Sequence, residues 1–529
     1  MTNLATHVGS TAEQRPSGTA ISFEGTEVTY RELWGRTGAF AAGLADAGVD
    51  TGGRVGIYLP NVPQFVVGFH GTLRAGGVVV PMNPQYKPRE IEHMLADSGA
   101  EVVVTLPKLA PQVAEVRDDT DVHTVVTVGE AVEGTVSFEE FCGEPGYDTV
   151  ERADDDVACQ PYTSGTTGTP KGVLLTHDNL ASNAEMADAT YPGGIRTDDR
   201  QLGVLPLFHI YGMTVVMNAT LFGGGAYYPL PAWDVREALD LIESAELTLM
   251  HGVPAMYNDV INQPDAANRD LSSLRLCGVG GSGIPAEVLH TFEELYDVQV
   301  FEGYGLTETS PVTHFNTSGD RRVGSIGKTL PGVESTVVDD DFAEVAPVEE
   351  GPIDEESEAS KAPRDDGEAV ALDDVTGEVV VCGPNVMKGY HDRPEANGAA
   401  FTEVDGKRWF HTGDVGYHDA DGYFYIVDRE KHTINTAGYN VYPREVEELL
   451  FEHEVVADAA VVGVPDDRRG ETVKAFVVPK PGGDATPEAI KRYCLDSLAE
   501  YKHPREVEFV DELPRTTTGK VRKFELRGE

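Results

Sequence analysis

The residues best suited to chemistry in this chain lie in one run, Tyr162-Thr163-Ser164-Gly165-Thr166-Thr167-Gly168-Thr169-Pro170-Lys171-Gly172. Its glycines let the backbone approach phosphate oxygens closely, its hydroxyls and N–H groups donate hydrogen bonds, and Lys171 adds a point charge. It is not a Walker A loop, because Gly172 stands where Ser or Thr should follow the lysine. Read alone, the run is equally a phosphate cradle and a flexible hairpin turn. Glu308, within Tyr304-Gly305-Leu306-Thr307-Glu308-Thr309, is a hard carboxylate of the kind Mg²⁺ takes beside phosphates, and Thr307 offers a hydroxyl. Without context Glu308 is surface decoration, Lys520 is a solubilising lysine, and Asp414 with Arg429 is an ordinary turn pair.

The elements that must position these residues are visible as alternating patterns. Val55–Leu59 and Val102–Thr105 are β-branched runs that bracket a helical pattern over Phe65–Ala75, and Thr124–Val128 follows. A second series runs through Gln201–Leu205, Leu247–Met250 and Val298–Phe301. Apolar strands alternating with helices predict an α/β fold of parallel, doubly wound sheets. The phosphate-loop candidate falls between a strand-like lead-in at Asp156–Pro161 and the strand at Val173–Leu175. From about Gly324 shorter strands such as Gly377–Val381 predict a small β-rich subdomain. A new αβ pattern near Asp428, with a helix over Glu445–Phe451 and a strand over Ala459–Val462, predicts a small α+β C-terminal domain. The division is therefore 1–427 and 428–529, with an acidic insertion at about 340–374 that reads as a solvated surface excursion.

Composition narrows the partners. The 529 residues carry 41 Lys+Arg against 89 Asp+Glu, a formal net charge of -48. Such a field disfavours nucleic acid and anionic lipid, and it matches the acidic surfaces of proteins from salt-rich cytoplasm. Five scattered cysteines with no Cys-x-x-Cys pair argue against a disulfide framework or zinc site. No stretch reaches the ~18 apolar residues of a membrane helix, and no basic leader precedes an apolar run. A cytoplasmic protein without a membrane span is expected.

The motifs together resemble the adenylate-forming superfamily of acyl-CoA synthetases, aryl-CoA ligases, adenylation domains and luciferases, over nearly the whole chain. Thr163–Gly172 is similar to its phosphate loop, Tyr304–Thr309 to its adenine and magnesium motif, and Thr412-Gly413-Asp414 to its ribose motif. Asp428-Arg429-Glu430-Lys431 is similar to its hinge, and Pro514–Lys520 to its C-terminal catalytic-lysine motif. The resemblance implies an ATP-dependent, AMP-forming acid:CoA ligase that makes an acyl-adenylate, releases pyrophosphate and then forms a thioester. The acid would be medium- or long-chain, or aromatic. A ligase loading a carrier protein is the enzymatic alternative, and a catalytically silent nucleotide-binding protein the non-enzymatic one. Loss of Lys520, Glu308 or the phosphate loop would mark the silent form, and all three are present.

The same resemblance assigns roles. Lys520 would bridge carboxylate and α-phosphate, Glu308 would hold Mg²⁺, and Thr307 would touch the α-phosphate. Thr163, Ser164, Gly165, Thr166, Thr167, Gly168 and Lys171 would surround the phosphates. Tyr304, with Glu302 and Gly303, would face adenine across from Gly281-Ser282-Gly283, while Asp414 and Arg429 would take the ribose. His209, Tyr211, Gly305 and Thr309 would border the acid, with His209 as a gate or else a satisfied core histidine. Gly305 stands where the acetate branch has Trp, and so would leave room for a larger acid. Lys431 would be the pivot of a mobile C-terminal domain whose Gly438, Tyr439 and Asn440 then line the CoA tunnel. The partners implied are a small-molecule carboxylic acid, ATP and coenzyme A, with a homodimer left open.

Overall fold

A computed structural model describes residues 3–163, 170–349, 375–429, 432–436, 439–466, 468–480, 482, 485–498, 501–516 and 520–527, with the side chains of 439 and 440 excepted. Two nine-stranded sheets form the large N-terminal part. In the first, Arg54–Tyr58 lies between Val78–Pro81 and Ala100–Thr105, all parallel, and Thr124–Thr127 extends the set. In the second, Arg200–Gly203, Ala226–Pro229, Leu249–Gly252, Leu276–Val279 and Val300–Gly305 are likewise parallel. These strands read as continuous apolar runs because helices cover both faces. Pro63–Arg74, for example, buries Phe65, Val66 and Phe69 completely. One apolar core runs through both sheets.

The predicted hairpin is present: Tyr162–Thr163 pairs antiparallel with Lys171–Thr176, setting Thr163 opposite Lys171. The next strand neighbour is Gly389–Tyr390, with Tyr390 opposite Val173. A third, five-stranded antiparallel sheet is the β-rich subdomain, and a fourth five-stranded sheet forms the C-terminal unit with helices Pro443–Glu452 and Pro487–Ser497. No described helix is long and apolar enough to cross a membrane. The five cysteines are free thiols.

Two boundaries differ from the sequence reading. The strand Phe424–Arg429 belongs to the third sheet, where Arg429 pairs with Asp414 and Asp428 with Val415. The C-terminal sheet therefore starts at Ile434, beyond the division drawn at 427/428. The cause is tertiary: Tyr425 stacks on Tyr417 with centroids 4.8 Å apart, a pairing that local pattern does not reveal. The acidic insertion is also not all excursion. Its first residues fold back, so that Val345 N–H donates to Val337 O and Val348 is buried against Tyr417, Tyr423 and Tyr425. The remainder, 350–374, lies outside the described residues.

Candidate active site

The strand Val300–Gly305 delivers Glu302, Gly303, Tyr304 and Gly305 to a cavity of about 520 Å³ between the large part and the C-terminal unit. Gly281, Ser282 and Gly283 border it from the neighbouring strand's exit, as do Asp414, Arg429, Arg444 and Lys520. Antiparallel register sets Asp414 beside Arg429, whose Nε lies 2.7 Å from Asp414 Oδ1. The Tyr304 hydroxyl donates to Asp414 Oδ2 at 2.5 Å. Burial raises the Asp414 carboxyl and outweighs the opposing Arg429 guanidinium. Glu302 is buried too, and burial pushes it up to about 7 against the pull of Arg444. Arg444 belongs to the helix Pro443–Glu452, donates to Ile426 O at 3.1 Å, and was not singled out from the sequence. Its partners Ile426, Glu302 and Glu448 come from three separate elements.

On the phosphate side, Ser164, Gly165, Thr166, Thr167, Gly168 and Thr169 lie outside the described residues, but their anchors Thr163 and Lys171 are fixed by the hairpin. The Lys171 ammonium sits 5.2 Å from the Tyr390 ring centroid, and the Tyr390 hydroxyl donates to Glu308 Oε1 at 2.9 Å. Tyr390 thus joins two motifs far apart in sequence; its own position carried no pattern. Among the described residues no cluster of three or more His, Cys, Asp or Glu could hold a metal. A single buried carboxylate suits a cation such as Mg²⁺, which takes most of its oxygens from phosphates and water.

A second cavity, about 60 Å³, adjoins the first and is bordered by His209, Tyr211, Val215, His251, Gly305, Thr307, Phe315 and, again, Lys520. Tyr211 opens an eight-residue π-helix, Tyr211–Asn218, whose wide turn directs both Tyr211 and Val215 to the cavity. Burial, then Lys520, pushes His209 down to about 3, so the ring is neutral. Tyr191 and His251 also border this cavity, and the sequence reading missed both.

One substrate-pocket expectation needs correction, and another gains a second constraint. Thr309 borders neither cavity: it is fully buried and its hydroxyl is used inside the turn, donating to Pro311 O and accepting from Leu306 N–H at 3.0 Å. Gly305 does border both, but a Cβ there would lie 1.9 Å from Pro311 O. A side chain at 305 would therefore require the Pro311 carbonyl to move, so glycine suits the close backbone approach as well as the space beside it. The strand that carries Tyr439 and Asn440 pairs with Ile434–Thr436, while Gly438 and Lys431 lie outside the described residues. From the C-terminal unit, Lys520 borders both cavities.

The chain matches the family model of the AMP-binding enzyme over residues 9–391 and that of the AMP-binding enzyme C-terminal domain over 445–520. It is 37% identical to the long-chain-fatty-acid–CoA ligase of Bacillus subtilis (strain 168), covering 98% of this chain and 93% of that one. It is 38% identical to a feruloyl-CoA synthase of Amycolatopsis sp, covering 98% and 96%. The crystal structure of ATP-bound MatB from Rhodopseudomonas palustris superposes with a TM-score of 0.86 at 32% identity, covering 99% of this chain and 98% of that one. The chain belongs to the AMP-binding enzyme family, within the adenylate-forming superfamily, and is an AMP-forming acid:CoA ligase.

Proposed function

We propose that the larger cavity takes ATP, that the smaller one takes the tail of a medium- or long-chain or aromatic carboxylic acid, and that Lys520 spans the two. The observation that carries this reading is that Lys520 borders both cavities. Attack of a carboxylate on the α-phosphorus brings two anions together, so charge neutralisation and in-line positioning must supply most of the catalysis. Lys520 meets the carboxylate and the α-phosphate oxygens from the C-terminal unit. Lys171 and the loop it anchors hold the outgoing pyrophosphate, and Thr307 donates to the α-phosphate. Glu308 would hold Mg²⁺, which supplies neutralising charge on the phosphates. Tyr390 steers the Glu308 carboxylate through its hydroxyl. The ribose hydroxyls approach Asp414, whose negative charge Arg429 sustains in a buried setting. For the thioester step the C-terminal unit turns about the segment near Lys431 and brings Gly438, Tyr439 and Asn440 to a CoA channel. The acidic surface suits work in a salt-rich cytoplasm.

The names of relatives support both acid classes: one acts on long-chain fatty acids and another makes feruloyl-CoA. The test is pyrophosphate release over straight-chain, branched and aromatic acids, with and without CoA, in strong KCl. CoA-dependent turnover is the expected outcome. Slow, acid-dependent release that CoA does not accelerate would instead point to a ligase that loads a carrier protein.

A further inference from the structure

The hairpin that carries Lys171 is gripped from outside by a helix that no motif singles out. Pro88–Ser98 has Pro88 at its first position, a Glu90 carboxylate that accepts from Lys87 N–H at 2.9 Å, and Gly99 at φ 67° to end it. It buries Ile91, Met94 and Leu95 along one stripe. His93 and Asp97 stand beside that stripe one helical turn apart, so both face the same way. His93 Nε2 lies 2.8 Å from Pro170 O. Asp97 Oδ2 accepts from the Tyr162 hydroxyl at 2.8 Å, and Asp97 Oδ1 accepts from Arg393 Nη2 at 2.6 Å. Tyr162 and Pro170 each adjoin a member of the Thr163–Lys171 pair, one on either arm of the hairpin.

These contacts constrain the lysine through its backbone. A carbonyl oxygen only accepts, so His93 donates through Nε2–H whatever its charge. The peptide that joins Pro170 to Lys171 is planar, and holding its oxygen fixes the tilt of the plane that leads into Lys171 Cα. Proline has no N–H, so the strand ladder cannot tether residue 170 through its own nitrogen. His93 supplies a tether from the side. On the other arm, burial and then Asp97 raise the Tyr162 hydroxyl, which stays protonated and donates. Arg393 closes the circuit. It lies just beyond His391, whose N–H donates to Gly172 O at 2.8 Å, and beyond Tyr390, whose hydroxyl meets Glu308. One helix face thus holds both arms of the hairpin and, through Arg393, the segment that steers Glu308.

We infer that His93 and Asp97 are positioning residues for the ATP phosphates, acting through the Pro170–Lys171 peptide and the Tyr162 arm to aim the Lys171 ammonium. The inference rests on the reading of Lys171 as a holder of the outgoing pyrophosphate. A helix that served as scaffolding alone would, when weakened, lower stability and both half-reactions alike. A positioning role costs the ATP step and spares the thioester step.

The test uses the full chain and whichever acid of the straight-chain, branched and aromatic panel the native protein turns over fastest. In His93→Leu, kcat/KM for ATP in pyrophosphate release should fall ~10- to 10²-fold, the scale of a slightly misplaced catalytic group. Thioester formation from supplied acyl-AMP should stay near the native rate. His93→Gln, whose amide keeps an N–H donor near the place of Nε2, should recover most of the loss. An unchanged kcat/KM for ATP in His93→Leu, equal losses in the two half-reactions, or a folded His93→Gln no better than His93→Leu overturns the inference. Should His93→Leu not fold, Tyr162→Phe, which removes only the hydroxyl that Asp97 holds, carries the same expectation of an ATP-selective loss, and the lack of that loss overturns the inference equally. Lys171→Ala separates the inference from the reading beneath it. If kcat/KM for ATP is unchanged there, the phosphate role of Lys171 falls and the inference with it; if it drops there but not in His93→Leu, the inference alone falls.

Discussion

Lys520 reaches the cavities from a segment in which its own N–H donates to Thr516 Oγ1 at 3.1 Å. That local bond fixes the backbone, while the long side chain reaches toward Gly281. Lys520→Ala should lower acyl-adenylate formation by ~10²- to 10³-fold, the scale of losing one preorganised charge on a developing anion. Thioester formation from supplied acyl-AMP should be nearly unaffected; separate assays of the two half-reactions check this, and equal losses would refute it. Residues of this kind were legible in the sequence because motif and chemistry coincide in a few consecutive positions. Tyr390, Tyr191 and His251 were not. Tyr390 meets Glu308 across 82 positions and Tyr191 meets His251 across 60. A tyrosine without a local partner reads as core until the fold supplies one.

Between elements, the strand Val300–Gly305 and the helix Pro443–Glu452 meet through Glu302 and Arg444. Folding raises the Glu302 carboxyl from 4.5 to about 7, through burial first and in spite of Arg444. Such a group holds its proton more tightly in the native state. It favours folding below about 4.5 and loses that contribution as pH rises through about 7. Glu302→Gln, which cannot ionise, should therefore gain stability relative to the native protein between pH 5 and pH 8, by roughly 2–3 kcal/mol at most. Urea midpoints at the two pH values measure this, and parallel pH curves would contradict it. The parallel strands themselves were readable, since runs such as Val102-Val103-Val104 bury both faces. The end of the third sheet was not, because Phe424–Arg429 is defined by its pairing with Lys407–His418. Gly305 is a related case: its identity was read as pocket size, and the close approach of the Pro311 carbonyl is a second constraint that only the fold reveals.

Over the whole molecule, a net charge of -48 must be carried mostly by exposed carboxylates. Their mutual repulsion reaches ~20–30 Å in dilute salt but only ~3 Å near 1 M. The unfolding midpoint should therefore rise steeply from ~20 mM to molar KCl, with activity following; a flat midpoint would show that the surface charge is tolerated without screening. The net charge itself was legible from composition, as was the two-part architecture from the change of pattern along the chain. The walls of the smaller cavity, however, come from residues 187–315, apart from Lys520. The walls that would meet the acid and the lysine that would bridge it to the α-phosphate thus come from separate stretches of polypeptide, although Thr307 and Glu308 share the first stretch with those walls. A lineage that reshaped those walls for a different acid would have to do so around Thr307 and Glu308, while the distant segment with its lysine passes on untouched.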